Sequence, residues 1–286
     1  MGSYYSNYFI LNYYMKTIIF YAYYETSHSI GNLEYFSKVG ITDDPNFLYV
    51  IIINGYKCSI DLPIYNNCIV LKKDNTGFDF GAYNFAIKYL EELFNCKTKD
   101  FSYDYFIFLN AGVTGPFLPT YYNLHWTNVF NSKINEKVKL VGTTIVCLPP
   151  TDDGGHGPRI EGFCFATDKI GLDILIEKKN IFMQHSSKYS AIIYGEYGLS
   201  KAIFEKGFTI DCLLYKYQNI DWTNKKNWDL NSNIHPSRKN SYDGISIHPF
   251  EVVFHKWYWS DHPNELVSFE YLNKYIKWKL ESTINN

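Results

Sequence analysis

Four apolar runs rich in β-branched and aromatic residues alternate with two segments of helical spacing in the first third of the chain, and this alternation constrains the fold most. Lys16–Tyr23, Phe47–Ile53, Cys68–Leu71 and Tyr105–Leu109 read as strands. Between the first two, Ile30, Leu33, Phe36 and Val39 share one helical face, and Gly40 closes the segment as a C-cap. From Phe80 to Phe94, Ala82, Phe85, Ala86, Tyr89, Leu90 and Leu93 repeat that spacing. The pattern predicts an α/β fold with a mostly parallel central sheet flanked by helices. In such sheets ligands bind beyond the carboxyl ends of the strands. The segments that fall there are Tyr23-Tyr24-Glu25, Asn54-Gly55, Lys72–Gly81 and Asn110–Gly115.

The second half is less regular. Lys139–Cys147, Ile160–Ala166 and Phe208–Leu214 read as strands, Lys169–Glu177 and Gly198–Lys206 as helices. Leu148–Pro158 is a Pro/Gly/Asp loop, and Asp221–Asp243 reads as a surface loop or lid. Phe269–Leu280 has the spacing of a terminal amphipathic helix. No internal repeat and no long Gly/Pro linker divides the chain. One domain over 1–286 is therefore expected, with halves at 17–115 and 139–260 and a C-terminal helix within 261–286.

Composition narrows the functional classes. A formal net charge of −2 gives no basic field for nucleic acid. The six cysteines include no Cys-x-x-Cys pair, which argues against zinc and for reduced thiols in a cytoplasmic setting. The longest apolar stretch, Phe9–Tyr24, is interrupted by Asn12 and Lys16, so no membrane span is expected. The 27 tyrosines suit sugar rings, which stack on aromatic faces, and equally suit the codon usage of an AT-rich genome.

Several motifs, taken in order, resemble the GT-A family of nucleotide-sugar glycosyltransferases, especially its family-2 and rhamnan-synthesis-like members. The resemblance runs from about Thr17 to His255. Tyr21-Ala22-Tyr23-Tyr24-Glu25 is similar to the family's Pro-x-Tyr-Asn-Glu, without the proline and asparagine. Asp74–Asn84 is similar to its Asn-x-Gly turn and helix start, with Asp79 as either a ribose or base acceptor or a helix N-cap. Gly195-Glu196-Tyr197-Gly198-Leu199 resembles its Glu-Asp-x-x-Leu motif, with one carboxylate kept. Where the family carries Asp-x-Asp, this chain reads Asn110-Ala111-Gly112.

The resemblance implies transfer of a sugar from a nucleoside diphosphate sugar to a glycan hydroxyl, with inversion and with Glu196 as general base. It implies donor binding by Ala22, Tyr23, Tyr24, Glu25, Asn54, Lys73, Asp79, Asn110, Ala111, Gly112 and His255. No residue is assigned to a metal, and dependence on manganese or magnesium stays open because the Asp-x-Asp carboxylates are missing. Lys72 and Lys73 are candidates for the positive charge facing the diphosphate, and Trp257 and Trp259 for stacking on a sugar. Asp152, Asp153, His156 and Arg159 fall where the family faces its acceptor. The rival is a non-catalytic glycan- or nucleotide-binding module on a degenerate GT-A fold.

Overall fold

The computed structural model describes residues 15–256 and 266–284. In chain order the elements begin β1 (Thr17–Tyr24), α1 (Ser27–Tyr35), β2 (Phe47–Asn54), β3 (Cys68–Lys73), α2 (Phe78–Phe94) and β4 (Tyr105–Asn110). They continue with α3 (Thr127–Asn131), β5 (Val138–Gly142), β6 (Ile145–Leu148), β7 (Gly157–Ile160), β8 (Cys164–Asp168) and α4 (Lys169–Glu177). Last come α5 (Lys188–Ser190), a π-helical turn (Ala191–Glu196), α6 (Tyr197–Glu205), β9 (Thr209–Cys212), α7 (Pro249–Val252) and α8 (Leu266–Ile284).

Seven strands form one sheet in the order β3-β2-β1-β4-β8-β5-β9. β1, β2, β3 and β4 run parallel, β5 and β9 run parallel to each other, and β8 alone is antiparallel to its neighbours β4 and β5. The fold is thus α/β with a mostly parallel sheet, as the strand–helix alternation predicts. Both faces of the sheet are covered, so β1 and β2 are apolar at nearly every position rather than at alternate ones. Ile18, Phe20 and Ala22 pack on the face of α2, α4 and α6; Ile19, Tyr21 and Tyr23 pack on the opposite face. Phe20, Phe108 and Phe165 stack across three neighbouring strands at 4.7 and 4.9 Å between ring centroids. Full burial of each such side chain contributes about 1.5–3 kcal/mol.

Two expected strands are each divided. Lys139–Cys147 ends as β5 at Gly142 and resumes as β6 at Ile145; Ile160–Ala166 ends β7 at Ile160 and resumes as β8 at Cys164. β6 and β7 leave the main sheet as an antiparallel pair. Every residue of these runs from Lys139 to Cys147 is buried, so hydrophobicity carries no sign of the break. The crossing places Thr144 beside Glu161 at the carboxyl edge of the sheet.

Residues 221–243 lie largely exposed at the surface, as expected, but form a strap anchored to the sheet at a few points. Trp222 is wholly buried, and Asn231 pairs with the backbone of β6 through Cys147 N–H (2.7 Å) and Ile145 C=O (2.9 Å). Asn231 thus uses both ends of its amide to satisfy the β6 edge. Trp257 and Trp259 lie outside the described residues.

Candidate active site at the carboxyl edge of the sheet

The carboxyl ends of the parallel strands align, with Tyr24 beside Asn54, Asn54 beside Lys73, and Ala22 beside Asn110. α2 begins above them. Gly77 at φ +79° is its N-cap and Phe78 follows at φ +55°. A bulky residue in that region costs roughly 1–3 kcal/mol, and the resulting turn directs Asp79 at β4. Asp79 is not the cap. Its Oδ2 accepts from Asn110 Nδ2 at 2.7 Å, while Asn110 Oδ1 accepts from Gly112 N–H at 2.9 Å. Burial raises the Asp79 carboxyl above its ordinary range, opposed by the Asn110 hydrogen bond and the Lys256 ammonium.

The loop after β4 is held from below. Ala111 N–H donates to Ala22 C=O at 2.9 Å, Asn32 Nδ2 donates to Ala111 C=O at 2.9 Å, and the Thr114 hydroxyl donates to Asn32 Oδ1. Asn110-Ala111-Gly112 is therefore a fixed platform with Gly112 exposed at its tip.

Two expected donor-site residues are engaged by the protein itself. Lys73 is buried, and its ammonium donates to Asn54 Oδ1 (3.2 Å), Asp74 C=O (2.6 Å) and Thr76 C=O (2.7 Å). Those three bonds use all the donors of a lysine, so Lys73 shapes the turn before α2. Glu25 accepts from Ser59 N–H (2.6 Å) and Ser59 Oγ (2.8 Å) and pairs with Lys57 at 2.7 Å. The Lys57 contact, with the Ser59 bonds, outweighs desolvation and holds its carboxyl down at about 2. Tyr23 is buried with its hydroxyl 3.3 Å from Glu25 Oε2, whereas Tyr24 is 51% exposed. Tyr24 Cε2 lies 3.3 Å from where a Cβ on Gly55 would stand, so an exposed aromatic ring covers the ends of β1 and β2.

The last segment enters from the opposite side. Val253 takes φ +61°, ψ −48°, and Phe254 N–H reaches back to Val252 C=O at 2.5 Å. This is a γ-turn, rare and strained, on a β-branched residue. It sends the chain antiparallel to Thr114, with two backbone bonds between Thr114 and His255 at 3.0 and 2.9 Å. His255 Nε2 is 3.0 Å from Ile247 C=O, and Nδ1 is buried with no hydrogen-bond partner among the described residues. Burial pushes its pKa down to about 4, so the ring is neutral at physiological pH. Lys256 is the residue that reaches the site. Its Nζ lies 5.1 Å from the Phe163 ring centroid, and its Cε 3.9 Å from where a Cβ on Gly112 would stand.

Glu196 closes the π-helical turn that leads into α6, and such turns recur at functional sites. It packs on Gly162, where an added Cβ would come within 2.9 Å of Glu196 Cγ. Only glycine permits that approach. Burial pushes the Glu196 carboxyl up to about 7, with Lys256 opposing and Glu161 adding to the rise. Glu161-Gly162-Phe163 thus joins the parts: Phe163 C=O accepts from Asn110 N–H (3.1 Å), its ring carries Lys256, and Gly162 seats Glu196.

Glu161 itself is fully buried. Its carboxylate accepts from Thr144, from Ser237 Oγ at 2.9 Å, and lies 2.9 Å from His235 Nδ1. Burial would raise its pKa, but the His235 contact and the two hydroxyls outweigh burial and hold it below the ordinary range. The strap is thereby pinned against the floor of the site.

The glycine-rich loop is self-contained. The Arg159 guanidinium donates to the carbonyls of Gly154 and Gly155 at 3.0 Å, and Asp152 Oδ1 takes Gly154 N–H at 2.7 Å. Asp153 accepts from Tyr189 OH at 2.6 Å, and His156 lies 3.2 Å from Asp229 and edge-on to Trp228. Gly154 abuts Tyr197, the neighbour of Glu196.

The structure therefore brings together Asp79, Asn110, Gly112 and Glu196 of the expected residues, and adds Lys256, Phe163 and Glu161. The missed residues carried a signal. Lys256 is the one charge in the aromatic run Phe254–Trp259, and Glu161 the one charge in the apolar run Ile160–Ala166.

A divalent cation needs several oxygen ligands. At the Asp-x-Asp position, Asn110 is committed through both amide atoms, Ala111 and Gly112 have no ligating side chain, and a lysine stands alongside. Among the described residues no group of three or more His, Cys, Asp or Glu side chains could hold a metal ion. These residues do not fit a metal.

No protein-family model and no curated protein matches the chain. Among solved structures it is similar to the mannosyltransferase PcManGT from Pyrobaculum calidifontis in complex with GDP-Man and Mn2+, with a TM-score of 0.42 and 11% identity. That alignment covers 69% of this chain and 54% of the mannosyltransferase, so this chain spans about half of its length. No helix among the described residues is long and apolar enough to cross a membrane.

Proposed function

We propose that the protein transfers a glycosyl group from a nucleoside diphosphate sugar to a hydroxyl acceptor, with Glu196 as the general base. One observation carries this reading: Glu196, a carboxyl whose pKa burial lifts to about 7, shares the carboxyl edge of the sheet with Asp79, Asn110 and Lys256. A base poised near the working pH is what proton abstraction from an alcohol requires. Glu196 takes the acceptor proton as the oxygen attacks the anomeric carbon. The bond from that carbon to the diphosphate oxygen breaks, and the nucleoside diphosphate leaves with the electron pair. The Tyr24 ring offers a stacking face for the base, and Asp79 an acceptor for ribose or base donors. The acceptor approaches past the Asp152–His156 loop, which borders Tyr197.

The test is release of nucleoside diphosphate from a panel of UDP-, GDP- and TDP-sugars. Turnover of at least one donor is expected, and its rate should rise with pH through about 7, because the base acts deprotonated. No turnover of any donor, alongside tight glycan binding, would favour a non-catalytic binding module instead.

A further inference from the structure

We propose that the Lys256 ammonium takes the place of a divalent cation in this site, holding the diphosphate of the donor and neutralising it as it leaves. The inference rests on the donor-site reading above and adds to it which group meets the phosphates. Three observations place the charge. Lys256 lies against Gly112, the exposed tip of the platform after β4. Its Nζ sits on the Phe163 ring, which fixes a cation without removing its charge. Its charge opposes the rise in the pKa of both Asp79 and Glu196, so the ammonium stands near both carboxyls.

Two other cations at this edge are engaged by the protein. Lys73 spends its three donors on its own loop, and Glu25 holds Lys57. His255 is held neutral by burial, with Nε2 against Ile247 C=O. A second cation with charge +2 beside Lys256 would be repelled by it, and Asn110-Ala111-Gly112 offers an amide and backbone where a metal site would place two carboxylates. The γ-turn at Val253 gives strained backbone a purpose: it presents Lys256 across the platform instead of letting the chain run on. In the transfer step the C–O bond breaks toward the diphosphate, and a fixed ammonium stabilises the charge that develops there.

The experiment is calorimetric binding of UDP and of GDP to the full chain, in EDTA and in manganese, for wild type, Lys256→Met and Lys256→Arg. Thermal melts of all three report folding. Expected results are binding of one nucleotide with the same affinity in EDTA and manganese, a loss of roughly 10- to 100-fold in Lys256→Met, and recovery in Lys256→Arg. Lys256→Met should also move the rising limb of the pH–rate profile to higher pH, since the ammonium holds the Glu196 pKa down. Binding that appears only with manganese, or unchanged affinity in a folded Lys256→Met, overturns the inference and leaves the donor-site reading standing. No binding of either nucleotide under any condition overturns both.

Discussion

Glu196→Gln is expected to lower transfer by roughly 10²–10⁴-fold while leaving nucleotide binding intact. The amide keeps the shape that packs on Gly162 but cannot take a proton. The same substitution should stabilise the protein at high pH. The folded carboxyl titrates at about 7, against an ordinary value of 4.5. The folded chain therefore binds more protons than the unfolded one between those values, and stability falls as pH rises through that window. Above it the native state carries the whole cost, on the order of 1–3 kcal/mol; below pH 4 it carries none. Melting curves of wild type and Glu196→Gln should thus diverge at pH 8 and converge at pH 4. Wild-type turnover in the variant would end the base assignment, and equal stability at pH 8 would mean that the half-buried seat on Gly162 does not desolvate Glu196.

Glu161→Ala should be the most destabilising single change at the site, by about 3–5 kcal/mol. It removes a carboxylate that serves Thr144, His235 and Ser237 at once and leaves all three buried without it. Glu161→Gln should cost less, because an amide still accepts from the hydroxyls. The depressed pKa of Glu161 has the usual sign for an acid: its contribution is present above the ordinary carboxylate range and is lost only as pH falls below it. Urea unfolding at pH 7 measures the effect. A loss under about 1 kcal/mol for Glu161→Ala would mean that the cluster does not tie the strap to the sheet.

The reach of the sequence follows from which forces leave a periodic mark. β1, β2 and β4 are legible because burial on two faces writes continuous apolar runs, and α2 because it carries one helical stripe. The breaks within Lys139–Cys147 and Ile160–Ala166 leave no such mark, since the flanking residues stay buried in both sheets. The candidate residues at the ends of the parallel strands are legible in the sequence, and which of them the protein itself engages is less so. Lys73 and Glu25 look like ligand groups in one dimension, and only the backbone fold reveals that loop carbonyls and Ser59 saturate them. Lys256 was hidden beside the more conspicuous His255, because which of two neighbours faces the site depends on the turn at Val253. The N-cap alternative for Asp79 fails for a similar local reason: Gly77 ends the loop two residues earlier.

The central claim is that the edge formed by Tyr24, Asp79, Asn110–Gly112, Lys256 and Glu196 holds a nucleoside diphosphate sugar. A crystal structure of the full chain soaked with the nucleoside diphosphate of the best donor tests it most directly. The account predicts the base against Tyr24, the diphosphate between Gly112 and the Lys256 ammonium, and a free path from the terminal phosphate toward Glu196. A nucleotide bound elsewhere on the protein, or a diphosphate facing away from Lys256 and Glu196, would contradict it.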